Sequence, residues 1–321
     1  MNWVVFGTGV VTVIAIYAII TLSLDLQFSY GNLINFGVVA YVAAGAYAYA
    51  ILTQPPPTAF DDYRLGAGLP MPIGLLGAVA AGLAFGAITA WPSLRLRGEY
   101  VALTTFAFAE VFHSLLVNTR AVSNGLIGLI ILRPFQSFLT ADGQVLVFGL
   151  FVLAFLGAVY WLVRRTVDSP FGQVVLAISD DELGTRSIGK NVDRLRLQVF
   201  LLGSAISGLA GGLYAMYVTL VVPSLFAAEL SFTVWIALVL GGVRKRSGAL
   251  IGVIILIGFQ ELVRFIDLSP DRAALVSSLR LALTGALMVV VLKVRPPENV
   301  LTGAAAQPSQ RSIIPRLRTR A

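Results

Sequence analysis

Cysteine is absent from the 321-residue sequence, which excludes disulfides, thiol nucleophiles and cysteine-ligated metal sites. Charged residues are also scarce, because they make up 12% of the chain, about half the share of a soluble domain. Hydrophobic residues make up 57%, which is more apolar surface than a water-soluble fold could bury. The composition therefore indicates an integral membrane protein.

Apolar blocks of about 20 residues run through the sequence, and this is the length of helix that crosses a hydrocarbon core. A spanning backbone must satisfy its own hydrogen bonds, so we expect each block to be a helix. The sequence predicts an all-α, polytopic membrane protein with about nine spans, within a range of roughly eight to ten. The predicted spans are residues 3–24, 32–52, 71–91, 99–117, 144–163, 197–220, 230–243, 247–267 and 277–294.

Three of the apolar segments differ from the others in length, glycine content or position in the chain. The block at 230–243 is too short to cross a membrane without tilt. Residues 122–139 are interrupted by glycine and are expected to be re-entrant or to lie at the surface. Met1-Asn2-Trp3 leads directly into an apolar run that continues to Leu24, without the basic n-region and small-residue cleavage site of a secretory signal, so we expect a retained span.

Lysine and arginine collect in alternate connections between the predicted spans, and positively charged loops stay cytoplasmic. This distribution places the C-terminus and residues 164–196 in the cytoplasm and the N-terminus outside. It also explains the net charge of +7 without a nucleic-acid partner. We predict a transmembrane domain over residues 1–295 and a basic, disordered cytoplasmic tail over 296–321, where Pro, Ser, Gln and Arg are frequent.

The segment 164–196 is longer than a turn on the inner face requires. Asp168 or Ser169 is expected to cap a helix that begins at Pro170, where the missing N–H is not needed. The apolar residues of this helix share one face at helical spacing, and an acidic end follows; they are Phe171, Val174, Val175 and Ile178, then Asp180, Asp181 and Glu182. Gly184 and Gly189 are expected to break the helix, and Asn191 to cap the next one.

Two interpretations of this amphipathic helix are open. Its apolar face could enter a groove on a cytoplasmic protein with the charges at the rim, or the helix could lie on the membrane. The acidic end is unsuited to an anionic inner leaflet, which favours docking. Residues 184–191 approach a phosphate-binding P-loop, but Asn191 stands where the magnesium-binding Ser or Thr belongs and no apolar strand precedes. Any ATP must therefore be hydrolysed by another chain.

Polar residues inside predicted spans need a reason, since a charge at the membrane centre costs about 2.5–3.5 kcal/mol. Glu110 and His113 lie three residues apart on one face of span 99–117. They are candidates for a translocation path or proton relay, or they bond to a neighbouring helix or lie near the outer headgroups. No third metal ligand accompanies them. Asn35 and Gly37 serve either helix packing or solute contact.

Several motifs occur in a fixed order along residues 25–295. They are Gly-Asn-Leu-Ile-Asn-Phe-Gly at 31–37 with Gly-Ala-Tyr at 45–47, Leu-Arg-Leu-Arg-Gly-Glu-Tyr-Val-Ala-Leu-Thr-Thr at 94–105 with Phe-Ala-Glu at 108–110, Ser-Pro-Phe-Gly at 169–172, Gly-Leu-Ala-Gly-Gly-Leu-Tyr at 208–214, and glycines at 241, 242, 248 and 252. In this order they resemble the permease subunits of branched-chain amino-acid ABC importers, of the LivM and LivH type.

The resemblance implies an importer-type ABC permease without catalysis or a cofactor of its own, in a bacterial-type inner membrane. Its expected partners are a second permease subunit, as homodimer or heterodimer, two cytoplasmic ATPase subunits and an external solute-binding protein. The ATPase contact is expected to involve Ser169, Pro170, Phe171, Gly172, Val175, Asp180, Asp181, Glu182 and Gly189. The candidate path residues are Asn35, Gly37, Glu110 and His113.

The solute is expected to be a branched-chain amino acid or a related small polar molecule. Departures from the family pattern, at Val38-Val39, Gly248-Ala249 and the basic residues 244–246, leave that solute open. The alternative is an ion-coupled secondary transporter, which predicts inverted repeats and midplane carboxylates. The sequence shows no clear repeat, and Glu110 is its one mid-span acidic candidate. A membrane enzyme is disfavoured because no hydrolase or metalloprotease motif occurs.

Overall fold

The computed structural model describes residues 3–56, 65–96, 99–131, 141–245, 247–264 and 285–286. Its α-helices are α1 (Trp3–Asp25), α2 (Val38–Thr53), α3 (Met71–Ser93), α4 (Glu99–Asn118), α5 (Arg120–Ser123), α6 (Ala141–Asp168), α7 (Pro170–Asp180), α8 (Glu182–Ser187), α9 (Val192–Val218), α10 (Ala228–Gly241) and α11 (Gly248–Arg264). A π-helical turn (Leu26–Tyr30) extends α1, and a 3₁₀ turn (Pro223–Phe226) precedes α10. The strands are β1 (Leu129–Ile130) and β2 (Leu220–Val221).

The predicted all-α membrane class is confirmed. Among the described residues, six helical stretches are long and apolar enough to cross a membrane, and α2 and α11 are shorter apolar helices. The predicted count of about nine spans is not established by this number. The last predicted span, 277–294, lies outside the described residues except for the helical pair 285–286, and so does the tail 296–321.

The predicted span 32–52 begins too early, because α2 starts at Val38 and residues 31–37 are not helical. We call residues 31–37 the broken segment. Asn32 adopts a left-handed backbone with φ of 52°, which cannot continue a right-handed helix. The Asn35 Oδ1 atom then accepts the Gly37 N–H at 2.8 Å, a side-chain substitute for a helical hydrogen bond.

Residues 120–131, the described part of the ambiguous region, form α5, a turn and β1. β1 pairs antiparallel with β2 after the end of α9, with Leu129 opposite Val221. Leu129 is buried, whereas Leu126, Ile127 and Ile130 are exposed. This segment therefore lies at the surface over the ends of the long helices, and residues 132–140 are outside the described range.

The centre of the fold is the packing of α2, α3 and α9 through small residues. A Cβ atom at Gly45 would collide with the Gly208 carbonyl, and one at Gly211 with the Val42 carbonyl. Gly252 lies in the same way against the Ala237 carbonyl, where α11 meets α10. The small residues at four-residue spacing thus bring helix backbones together within this chain, the close packing expected of membrane helices.

Three arginines stack on aromatic rings at the ends of α3 and α6. The Arg95 guanidinium lies 4.3 Å from the Trp91 ring centre, and Arg164 and Arg165 lie 5.0 Å and 5.8 Å from Tyr160 and Trp161. Trp91 and Trp161 are both exposed. Aromatic rings with arginine are typical of the headgroup level, so these residues mark one edge of the membrane domain.

Candidate functional site

Helix α7 begins at the predicted place. The Ser169 Oγ atom accepts the Gly172 N–H at 3.3 Å, and Pro170 occupies the first helical position. A proline at this position gives up no helical hydrogen bond. Ser169 and Pro170, two of the expected coupling residues, therefore set the angle at which the chain leaves α6. Gly172 fits closely here, since a Cβ atom on it would collide with the carbonyls of Thr166 and Val167.

The apolar face of α7 points into this chain. Val175 and Ile178 are each 2% exposed, and Phe171 packs against the main apolar core that contains Val175. Helix α7 contacts α6, the π-helical turn and α9. The chain itself covers Val175 and Ile178, whereas Phe171 and Val174 are half-buried, so docking of this region on another protein stays a prediction. Gly172 and Val175, two of the expected coupling residues, pack against this chain and position α7.

The helix break also differs from the prediction. The chain turns at Asp181, whose Oδ1 atom accepts the Gly184 N–H at 2.9 Å and so caps α8. Gly184 consequently lies inside α8 and does not break the helix. Gly189 does end this region, with a left-handed φ of 80°, and the Asn191 Oδ1 atom caps α9 by accepting the Arg194 N–H at 3.1 Å. The Asp181 carboxylate favours a turn of the chain at this residue because it accepts a backbone N–H. The glycine at 184 does not by itself end the helix.

Helix α8 is held on the start of α9 by ion pairs. Arg186 contacts Glu182 at 3.1 Å and Asp193 at 2.8 Å, and Arg196 contacts Glu182 at 3.0 Å. Leu183 and Ile188 nevertheless point outward, 77% and 72% exposed. Asp180 and Asp181, from the expected coupling set, are also exposed. Leu183 and Ile188 are therefore exposed apolar side chains with charged residues beside them.

The broken segment is tied to its neighbours through Asn35, which is fully buried. Its Nδ2 atom donates to Gln27 Oε1 at 2.7 Å, and its carbonyl accepts from the Trp235 indole at 3.0 Å. The Gln27 Nε2 atom in turn donates to the Phe200 carbonyl at 3.0 Å. Asn35 thus joins α1, α9 and α10, a geometry that favours the packing interpretation.

Gly37 lies against α4. A Cβ atom on Gly37 would lie 2.7 Å from the Thr105 carbonyl, and the Phe36 N–H donates to Thr105 Oγ1 at 3.1 Å. The broken segment therefore lies close to the α4 backbone, a geometry that favours the packing interpretation for Gly37 as well.

The remaining candidate path residues lie on α4. Glu110 is exposed, and His113 is half-buried with its Nε2 atom lacking a hydrogen-bond partner among the described residues. No described hydrogen bond or ion pair joins the two side chains. The exposed face of α4 continues above and below Glu110 at a spacing of three to four residues, with Tyr100, Leu103, Ala107, Val111, Ser114, Leu115 and Asn118. This face carries a carboxylate in mid-helix without a described partner.

A cavity of about 690 Å³ lies among α1, α6, α9 and α11, with Tyr17, Tyr214, Gln260 and Glu261 among its lining residues. None of the four candidate path residues lines it. Across the described ranges, no group of three or more His, Cys, Asp or Glu residues could hold a metal ion.

Sequence reasoning missed two parts of this region. Leu183 and Ile188 carry the exposed apolar surface, and their only signal was two isolated apolar residues in a charged stretch. Arg244, identified in the sequence only as one of the basic residues 244–246, forms an ion pair with Asp180 Oδ1 at 3.0 Å. That contact joins residues 64 positions apart, which no local pattern encodes.

Residues 8–292 match the family described as "Branched-chain amino acid transport system / permease component". The high-affinity branched-chain amino acid transport system permease protein LivM of Escherichia coli is 29% identical over 310 residues, which cover 89% of this chain and 68% of that protein. LivM of Salmonella typhimurium is 28% identical over 313 residues, covering 90% of this chain and 69% of that protein.

An archaeal relative extends the comparison. The probable branched-chain amino acid transport permease protein LivM of Methanocaldococcus jannaschii is 26% identical over 263 residues, covering 74% of this chain and 76% of that protein. No solved structure matches the chain. The family match covers the broken segment, α4 and the α7–α8 region, and with the membrane-spanning helices it confirms the resemblance found in the sequence. The chain is a multi-pass membrane protein and belongs to the branched-chain amino acid transport permease family.

Proposed function

We propose that this chain is the transmembrane permease subunit of an ATP-driven ABC importer for branched-chain amino acids or related small polar solutes. It pairs with a second permease subunit, carries two cytoplasmic ATPase subunits and receives solute from an external binding protein. It has no catalysis of its own, since ATP is hydrolysed on the partners. The names of its relatives and the surface around α8 support this assignment.

The observation that carries the proposal is the pair of exposed apolar residues on a rigid support. Leu183 projects from α8 and Ile188 from the position directly after it, and α8 contacts α9 through ion pairs and follows α7, whose buried face packs on the membrane helices. Two neighbouring exposed apolar side chains with charged residues around them, outside the membrane, suit a contact with another protein. The exposed acids Asp180 and Asp181 with Glu182 provide a charged rim for the ATPase, next to the turn at Gly189.

The orientation follows from the same end of the molecule. Arg95, Arg164 and Arg165 lie with their aromatic partners at the membrane edge from which α7 and α8 emerge. Because basic residues mark the cytoplasmic side, this edge faces the cytoplasm of a bacterial-type inner membrane. The N-terminus then lies outside and α8 faces the ATPase compartment, and the basic residues of the sequence assign the C-terminus to the cytoplasm.

The translocation path is assigned to the exposed face of α4. A carboxylate that faces hydrocarbon costs about 2.5–3.5 kcal/mol, so Glu110 requires protein or water beside it. A second permease subunit against this face supplies both, with Glu110 and His113 at a water-filled path between the subunits. Asn35 and Gly37 act from behind, because they hold the broken segment against α4 through Phe36 and Thr105.

The test compares two exposed leucines at opposite ends of the molecule. Leu183→Glu introduces a charge on α8, and Leu126→Glu introduces the same charge at a leucine of similar exposure, 74% against 77%. The chain is purified with its candidate ATPase subunits, and ATPase association and ATP hydrolysis are measured. We expect Leu183→Glu to weaken association by about tenfold, equivalent to about 1.4 kcal/mol, and Leu126→Glu to leave it unchanged.

Two results would contradict the proposal. The first is a wild-type chain that binds no ATPase subunit, and the second is equal loss of association in both leucine variants. The ion-coupled alternative is favoured by a single observation, the membrane-exposed carboxylate of Glu110. Uptake that follows an ion gradient in the absence of ATP would establish that alternative.

A further inference from the structure

The turn between α10 and α11 contains a residue in an unfavourable backbone conformation. Arg244 has a φ of 61°, in the left-handed region that glycine adopts most easily. A non-glycine residue persists in such a conformation when surrounding contacts require it, and such residues often lie at functional positions. The Arg244 side chain makes contacts of this kind.

The Arg244 guanidinium binds two other parts of the chain. Its Nε atom donates to the Ser29 carbonyl at 2.9 Å, in the π-helical turn. One terminal nitrogen donates to Asp180 Oδ1 at 3.0 Å, and the other to Ser179 Oγ at 2.6 Å, both at the end of α7. The fixed fork of the guanidinium makes these bonds together, which a lysine ammonium cannot reproduce. One side chain therefore clamps the end of α7 to the end of α1.

The π-helical turn explains why this clamp reaches α1 at the Ser29 carbonyl. The last carbonyls of a helix lack intrahelical donors, and π-helical turns are frequent at functional positions within helices. The Arg244 N–H also donates to Ser29 Oγ at 3.4 Å, while that hydroxyl donates to Asp25. Arg244 thus contacts Ser29 through both its backbone and its side chain.

From this turn the hydrogen bonds continue toward α4. Gln27, in the same turn, accepts from Asn35 of the broken segment, and Phe36 of that segment donates to Thr105 of α4. The end of α7, Arg244, the π-helical turn, the broken segment and α4 are therefore consecutive members of one contact network. Each neighbouring pair is joined by a described bond or by adjacent residues of the chain.

We infer that Arg244 is a positioning residue for transport: it transmits displacement of the α7–α8 region to α1, the broken segment and α4. The inference rests on the proposed function, because the displacement originates in an ATPase bound at α8. Movement of α7 must either carry Arg244 and the π-helical turn with it or break the hydrogen bonds at Asp180 and Ser29. Since the turn holds Asn35 through Gln27, the displacement reaches the segment that fixes α4.

The decisive variant is Arg244→Gly, which removes the side chain while it leaves a residue that favours the left-handed backbone, so the fold is retained. Lys245→Gln is the matched control, because Lys245 is the next residue, its side chain is exposed and has no described hydrogen bond or ion pair, and its carbonyl bond from Gly248 is kept in the variant. Arg244→Lys keeps the charge and one bond but not the fork. The complete transporter is reconstituted with its partners, and solute uptake and ATP hydrolysis are measured in the same vesicles.

We expect Arg244→Gly to hydrolyse ATP at the wild-type rate while solute transported per ATP falls about tenfold, within the usual range for coupling between sites. Arg244→Lys should be intermediate and Lys245→Gln unchanged. A residue that only stabilises the fold would lower uptake and hydrolysis together. An unchanged ratio, or a parallel loss of both activities, overturns the inference.

Hydrogen exchange on the purified full-length chain provides a readout that needs no ATPase. The amides of residues 31–33 donate to carbonyls of the π-helical turn, and we expect Arg244→Gly, but not Lys245→Gln, to speed their exchange. If the wild-type complex transports nothing with ATP, the proposed function fails, and exchange tests only the structural link from Arg244 to the broken segment. Faster exchange in Arg244→Gly alone supports that link, and unchanged exchange overturns the inference.

Discussion

Helices α9 and α4 are both long membrane helices, yet the chain surrounds one and leaves the other open. In the most apolar stretch of α9, 72% of the residues are buried, against 22% in α4. Glycines bring α9 against α2 and α3, whereas α4 has bulky side chains and a carboxylate on its free face. This difference separates the helix surfaces that one chain buries by itself, as in α9, from those that require a neighbouring subunit, as in α4.

The closed side of the comparison depends on Gly211 of α9. In Gly211→Ala the new methyl group collides with the Val42 carbonyl, so α2 and α9 must separate. We expect the free energy of unfolding to fall by about 3 kcal/mol, as in overpacked cores, measured by denaturation in detergent. Gly157→Ala on α6 is the control, because nothing lies within 4 Å of its new methyl group. Equal effects of both variants would contradict the account of α9.

The open side of the comparison depends on Glu110 of α4. Glu110→Leu removes an exposed carboxylate without a described partner, so the free energy of unfolding of the isolated chain should stay within about 0.5 kcal/mol of wild type. Solute uptake by the assembled transporter should fall by about tenfold or more, equivalent to about 1.4 kcal/mol. Glu99→Leu, at the first position of the same helix, is the control for a lost acidic residue. Unchanged uptake in Glu110→Leu would remove Glu110 from the path.

The smallest effect is expected for an apolar residue on the same open face. Leu115 of α4 is 57% exposed, so Leu115→Ala should change the unfolding free energy of the isolated chain by less than about 0.5 kcal/mol. Leu213→Ala on α9 removes a fully buried side chain and should cost about 2 kcal/mol or more through the cavity it leaves. Denaturation of both variants in the same detergent measures the difference. Similar losses would mean that α4 is as enclosed as α9.

Local signals in the sequence predicted the ends of several helices. Ser169 with Pro170 and Asn191 sit where capping chemistry expects them, because a cap depends only on neighbouring residues. The composition also sufficed for the membrane class. The start of α2 was predicted too early because Ile34 and Phe36 continue the apolar run through the broken segment. Asn32, by its left-handed backbone, and Asn35, by its hydrogen bond to the Gly37 N–H, keep this segment from being helical.

Tertiary contacts account for what the sequence did not predict. The amphipathic face of α7 was identified, but periodicity does not say whether a face meets the same chain or another, and Val175 is buried within this one. The Arg244 clamp joins residues far apart along the chain, and its only signal was an unusually basic turn. Glu110 was found by its cost in a membrane, and its exposure in the fold indicates why that cost requires a neighbour.

Uptake of a labelled branched-chain amino acid into vesicles tests the central claim most directly. The assembled transporter is reconstituted with ATP on the side of α8 and the external binding protein on the other side. The account predicts uptake that requires ATP, persists when ion gradients are collapsed, and falls in Leu183→Glu. Uptake that continues without ATP and stops when an ion gradient is collapsed would contradict it.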